Sequence, residues 1–148
     1  MSASAPSSLV GATMSQLGEL FRSASAGPIP NGHGRGTVLL GTGGLPARLA
    51  ADVSYALLWR GKVVNARKRR LKNLMSALSI PAITAAIYEQ NSWFDGKPCI
   101  VFDYSKTSIV AHLVRDEIRE IAPGVYLGLV FLGRLHVLDF TLEFNRVH

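Results

Sequence analysis

Hydrophobic and polar residues alternate most regularly near the end of the chain. From Leu135 to Asn145, Val137, Asp139, Thr141 and Glu143 alternate with Leu138, Phe140, Leu142 and Phe144. A period of two predicts a strand with one apolar and one polar face, as in an antiparallel sheet with two environments. Ala82–Trp93, Pro98–Tyr104, Glu117–Ile121 and Val125–Leu132 also read as strands. Asp95-Gly96, Ala122-Pro123-Gly124 and Gly133-Arg134 separate them as turns. Leu57–Asn65 reads as a further strand, with Gly61 marking a bulge or a close approach.

Ahead of this region the spacing is helical. Val10, Met14, Leu17 and Phe21 predict an amphipathic helix over residues 7–22, capped by Ser7 or Ser8. Residues 27–44 are rich in glycine and proline and read as loop, with a short strand at Thr37–Leu40. Pro46 suits the first turn of a helix whose buried stripe is Leu49, Val53 and Ala56 or Leu57. Leu71, Leu74, Met75 and Leu78 fit one face of another helix, ended by Pro81. Thr107–Leu113 reads as a short helix. The expectation is an α+β, mostly β chain with N-terminal helices and a meander of about six strands. Such a sheet tends to close, because closure removes unpaired edges. A small antiparallel barrel or half-barrel follows, in one domain spanning 1–148. Residues 1–26 would form the N-terminal helix and linker, and 36–145 the barrel-forming body.

Composition supports a packed domain. Hydrophobic residues make up 48% of the 148, and charged residues 18%, below the usual ~25%. That argues against disorder and leaves apolar surface for a core, a pocket or a dimer face. No apolar run reaches the ~18 residues that span a bilayer, and the first 21 residues lack the basic n-region of a secretion signal. One cysteine, Cys99, forms no internal disulfide. A cytoplasmic location is therefore expected.

Charge is local. Between Asp52 and Glu89 there is no acidic residue, and Arg60, Lys62, Arg67, Lys68, Arg69, Arg70 and Lys72 carry +7 of a net +6, so the rest of the chain sums to −1. The run Arg67–Lys72 reads as a solvated face, with an anionic membrane or partner surface as the alternative. Without interleaved aromatics it does not suggest specific nucleic-acid binding.

The densest polar cluster lies among apolar strands: Asp103 to Ser108, then Arg115 to Glu120. Ionisable groups brought into a barrel interior must be paired, and pairing shifts their pKa values toward acid–base use. The bland alternative is a solvated ladder of cross-strand ion pairs. Asp103, Arg115 and Asp116 are the candidate catalytic residues. One carboxylate would act as base or acid and the other as its counterpart, with the guanidinium orienting them. Tyr104, Tyr126, Tyr88 and Trp59 are candidate substrate-binding residues, since each joins an apolar body to a polar tip. His33, His112, His136 and His148 show no metal spacing, so no metal is expected. Gly32, Gly34 and Gly36 do not form a phosphate loop. No cofactor is implied.

Trp59-Arg60-Gly61-Lys62, and Phe102-Asp103-Tyr104 through Arg115, resemble elements of small bacterial calycin-like (lipocalin-like) proteins of uncharacterised families. Ser92-Trp93-Phe94-Asp95-Gly96 and Pro123-Gly124-Val125-Tyr126-Leu127-Gly128 extend the resemblance, which covers about residues 30–145. It implies a small calycin-like barrel with an apolar cavity, and no particular reaction. The reading that follows is a barrel acting on a lipophilic small molecule by cofactor-free acid–base chemistry: cyclisation, isomerisation or epoxide opening. The alternatives are a non-catalytic carrier of a hydrophobic ligand and a homo-oligomeric interaction module.

Overall fold

In a computed structural model, the described residues are 9, 11–39, 59–75, 84–107 and 112–144. They form one α-helix, α1 (Met14–Ser23), and eight strands: β1 (Gly32–Leu39), β2 (Trp59–Asn65), β3 (Arg70–Met75), β4 (Thr84–Asn91), β5 (Pro98–Asp103), β6 (Val114–Ala122), β7 (Val125–Leu132) and β8 (Leu135–Phe144). Each strand pairs antiparallel with the next, and β8 closes on β1. The result is an up-and-down barrel in which each strand has a hydrogen-bonded neighbour on both sides.

The alternation on β8 sorts two cores. Phe140 and Leu142 point inward with Val64, Leu71, Ile87, Ile100, Phe102, Ile118 and Tyr126. An eight-stranded barrel is just wide enough for side chains to fill or for one small ligand to enter. The second core lies on the outer wall, where Leu17 and Phe21 of α1 cover Leu39, Cys99, Val101, Leu127, Leu129 and Phe131. Asp139 and Thr141, on the polar face of β8, are also fully buried there.

Helix α1 begins later than its apolar spacing predicts. Thr13 caps it in a reciprocal box with Gln16, the Thr13 hydroxyl accepting from the Gln16 N–H and the Gln16 side chain accepting from the Thr13 N–H. The proposed caps Ser7 and Ser8, and Val10, lie outside the described residues. So does the helix expected after Pro46.

Three expectations are corrected. The stretch read as a helix from Leu71 is strand β3: Leu71 and Asn73 are buried while Arg70 and Lys72 are exposed, a period of two. The turn before it places Arg69 at φ 55°, which a helix does not tolerate. Leu78 lies outside the described residues. The glycine-rich stretch read as loop contains strand β1, twice as long as the expected Thr37–Leu40 segment. Its glycines make room for rings: a Cβ on Gly34 would fall 2.5 Å from Phe144 Cζ. In the stretch read as a short helix from Thr107 to Leu113, Thr107, His112 and Leu113 lie in turns, and 108–111 are outside the described residues.

Gly61 does mark a close approach. Its φ is 132°, β2 shifts register against β3 between Trp59 and Gly61, and a Cβ there would overlap the Gly34 carbonyl. The turns at Asp95-Gly96, Pro123-Gly124 and Gly133-Arg134 stand where the sequence placed them.

One end of the barrel is plugged. Past α1 the chain crosses the end where β6 meets β7: Glu120 N–H donates to the Ser25 carbonyl at 3.0 Å. The Tyr126 hydroxyl donates to the Pro28 carbonyl at 2.6 Å. Ala26 and Ile29 pack onto the interior core. The β1–β2, β3–β4, β5–β6 and β7–β8 connections leave from the opposite end. No helix among the described residues is long and apolar enough to cross a membrane.

Candidate functional site

Among the described residues, the buried charged side chains of the barrel interior lie toward that opposite end. There Lys62 on β2, Asn73 on β3 and Asp116 on β6 take inward positions, with Tyr104 just after β5. Register sets this arrangement: Lys62 stands opposite Asn73, and Asp116 opposite Phe102. All four are buried, none more than 8% exposed.

Their polar atoms converge on the Tyr104 oxygen. The Lys62 ammonium donates to it at 2.7 Å and to Asn73 Oδ1 at 2.5 Å. Asn73 Nδ2 donates to the same oxygen at 2.9 Å. The Tyr104 hydroxyl in turn donates to Asp116 Oδ2 at 3.2 Å, and Lys62 Nζ lies 3.2 Å from that carboxylate oxygen. The rings of Phe102, Tyr104 and Phe140 stand 5.5 to 5.6 Å from the ammonium, within cation–π reach.

Burial dominates the titration of this cluster. It pulls Lys62 below its ordinary value, against the attraction of Asp116. It pushes Asp116 up, against Lys62 and Tyr104. It raises Tyr104 well above 10, with the Asp116 charge adding to the rise. Burial thus lowers the proton affinity of the amine and raises that of the carboxyl, which eases proton exchange between them.

The structure divides the candidate catalytic residues between two faces. Asp116 points into the barrel; Arg115 and Asp103 lie on the outer wall as register partners. Asp103 accepts from the Tyr88 hydroxyl and from the Ser105 N–H, both at 2.8 Å. Burial works to raise its carboxyl, and hydrogen bonds from Ser105 and Tyr88 outweigh it and hold it low. Tyr88 is pushed up to about 12 by burial and by that same carboxylate. Arg115 binds Glu117 at 3.0 Å, Gln90 Oε1 at 2.9 Å and the Asn91 carbonyl at 3.1 Å, and stacks 4.1 Å from the Trp93 ring. Of the candidate binding residues, Tyr104 joins Asp116, and Tyr126 is inward but at the plugged end. Trp59 opens β2, and its side chain lies outside the described residues.

Lys62 and Asn73 were not among the residues the sequence singled out. Lys62 closes the Trp-Arg-Gly-Lys element. Asn73 is polar beside Leu71 and Leu74, and only a period-two reading of that stretch places it inside.

A second polar pair lies on the outer wall. His136 Nε2 and Asp139 Oδ1 are 2.6 Å apart, beneath the Phe94 and Phe131 rings. Among the described residues no group of three or more His, Cys, Asp or Glu is arranged to hold a metal ion.

A crystal structure of a protein from Thermomonospora curvata has the same fold, with a TM-score of 0.62 over 95% of this chain and 93% of that one, at 16% identity. No family model and no curated protein matches the chain.

Proposed function

We propose that the barrel takes up a small lipophilic molecule bearing an oxygen function, and that Lys62, Tyr104 and Asp116 move a proton on it. The observation that carries this reading is a buried lysine–aspartate pair, joined through a tyrosine hydroxyl, beside the apolar interior of the barrel. A buried ion pair is a poor source of stability, because desolvation offsets most of its attraction and apolar replacements often do as well. Its presence here is better explained by use on a ligand.

The chemistry that fits is isomerisation or cyclisation beside a carbonyl. Asp116 takes a proton from a carbon next to the carbonyl, and the C–H electron pair moves toward the oxygen. The Lys62 ammonium and Tyr104 hydroxyl hold that oxygen as negative charge develops. The proton returns from Asp116 to another carbon, giving an isomer with no net gain or loss of atoms. Asn73 keeps Lys62 and Tyr104 in place.

A β,γ-unsaturated ketone with an alkyl tail serves as the probe, its conversion followed by the absorbance of the conjugated enone. The protein should accelerate conversion, and Asp116→Asn should slow it by about 10²-fold or more. Equal rates for the two proteins would reject the assignment. Binding of the ketone without conversion by either would favour the carrier reading.

A further inference from the structure

We propose that the outer wall built by β2, β3 and the turn between them docks on an anionic lipid bilayer. The proposal is independent of the interior cluster. Arg67, Lys68 and Arg69 occupy the turn, and Arg70 and Lys72 follow at alternate outward positions of β3; all five are exposed. The strand conformation is what gathers them: period two sends Leu71 inward and leaves Arg70 and Lys72 side by side with the turn.

Two features separate this wall from the rest of the barrel. The first is unbalanced charge. Elsewhere the carboxylates Asp95, Asp116, Glu117 and Glu143 are each matched to a lysine or arginine. Among the described residues none of the five cations of this wall has a carboxylate within 4.0 Å. The second is shape and polarity. Two shallow open hollows, about 470 and 450 Å³, run along the wall; Val63 and Asn65 line both, Arg67 the first, and Lys68, Arg70 and Lys72 the second. Among the described residues neither is lined by an acidic one, and both share Val63, an apolar side chain left 41% exposed.

Cations around an exposed aliphatic group match a headgroup layer, which offers phosphates at its surface and hydrocarbon just below. A nucleic acid would use the charges but offers Val63 nothing, and no Phe, Tyr or Trp occurs from Val63 to Lys72 for bases to stack on.

Full-length protein is sedimented with phosphatidylcholine vesicles, with and without an equal part of phosphatidylglycerol. Binding should require phosphatidylglycerol and weaken with added salt. Each cation removed should weaken it about fivefold, so Arg67→Gln, Lys68→Gln, Arg70→Gln and Lys72→Gln combined should lower affinity by roughly 10²-fold or more. Val63→Asp should lower it further, and circular dichroism should show both variants folded. Binding that ignores phosphatidylglycerol, or survives the fourfold change in a folded variant, overturns the proposal. So does a DNA duplex that strips the protein from the vesicles at matched phosphate concentration.

Discussion

Thr141 and Asp139 take successive outward positions on β8, and each keeps one buried oxygen with no hydrogen-bond partner among the described residues. A hydroxyl in that state costs free energy that a methyl of the same shape does not. Thr141→Val should therefore stabilise the protein by about 1 kcal/mol, read as a higher midpoint in thermal denaturation. Gly128 makes the opposite prediction. It faces Phe140 across the β7–β8 pair, and a Cβ there would collide with the ring tip. Gly128→Ala should cost about 1–3 kcal/mol, and Phe140→Leu in the same chain should recover part of it, measured by denaturant unfolding. At this scale the sequence was informative about Asp116 and Tyr104, whose polar types stand out among apolar neighbours. It was silent on Lys62 and Asn73, because their value lies in being opposite one another across β2 and β3, and register is not written in either segment alone.

Arg119 is the residue through which several elements are joined. It stands on the outer face of β6, fully buried, and its guanidinium reaches Asp95 with two hydrogen bonds of 2.6 and 2.7 Å. It also donates to the carbonyls of Phe21, Lys97 and Pro98, tying α1 and the β4–β5 turn to one strand. Arg119→Met takes the ion-pair partner from the buried Asp95 carboxylate and a hydrogen bond from each of those carbonyls, and should cost about 3–5 kcal/mol. The Asp95 carboxyl is held below its ordinary 3.8, first by the Arg119 hydrogen bonds. A depressed folded-state pKa means this contribution is complete above the unfolded value and fades as pH falls through the folded one. Acid titration of stability below about pH 4 should therefore show a loss in the native protein that Asp95→Asn lacks. Legibility at the element scale followed local cause. The Asp-Gly and Pro-Gly turns and the alternation of β7 and β8 are set by neighbouring residues. Strand β3 was mistaken for a helix because Leu71, Leu74, Met75 and Leu78 satisfy helical spacing. The first part of strand β1, ahead of the expected segment from Thr37, reads as loop because its glycines answer to Phe144, more than a hundred residues away.

For the whole molecule, closure was anticipated in kind, from about six strands where the barrel has eight, since a long meander without a closed edge would be prone to edge pairing. The division into an inner and an outer core was not. It depends on α1 folding back over strands from the far half of the chain, a contact that no local pattern expresses. That layer has one further consequence. Cys99 sits beneath α1, fully buried, and burial together with the Glu117 charge pushes its thiol up to about 12. A soluble alkylating reagent can reach it only when the helix lifts. The lone sulfur is thus a clock for a motion of the covering layer: its labelling rate counts excursions of α1 from the wall while the interior stays intact. Phe21→Ala should speed that clock without disturbing Lys62 or Asp116, separating the breathing of the coat from the chemistry it surrounds.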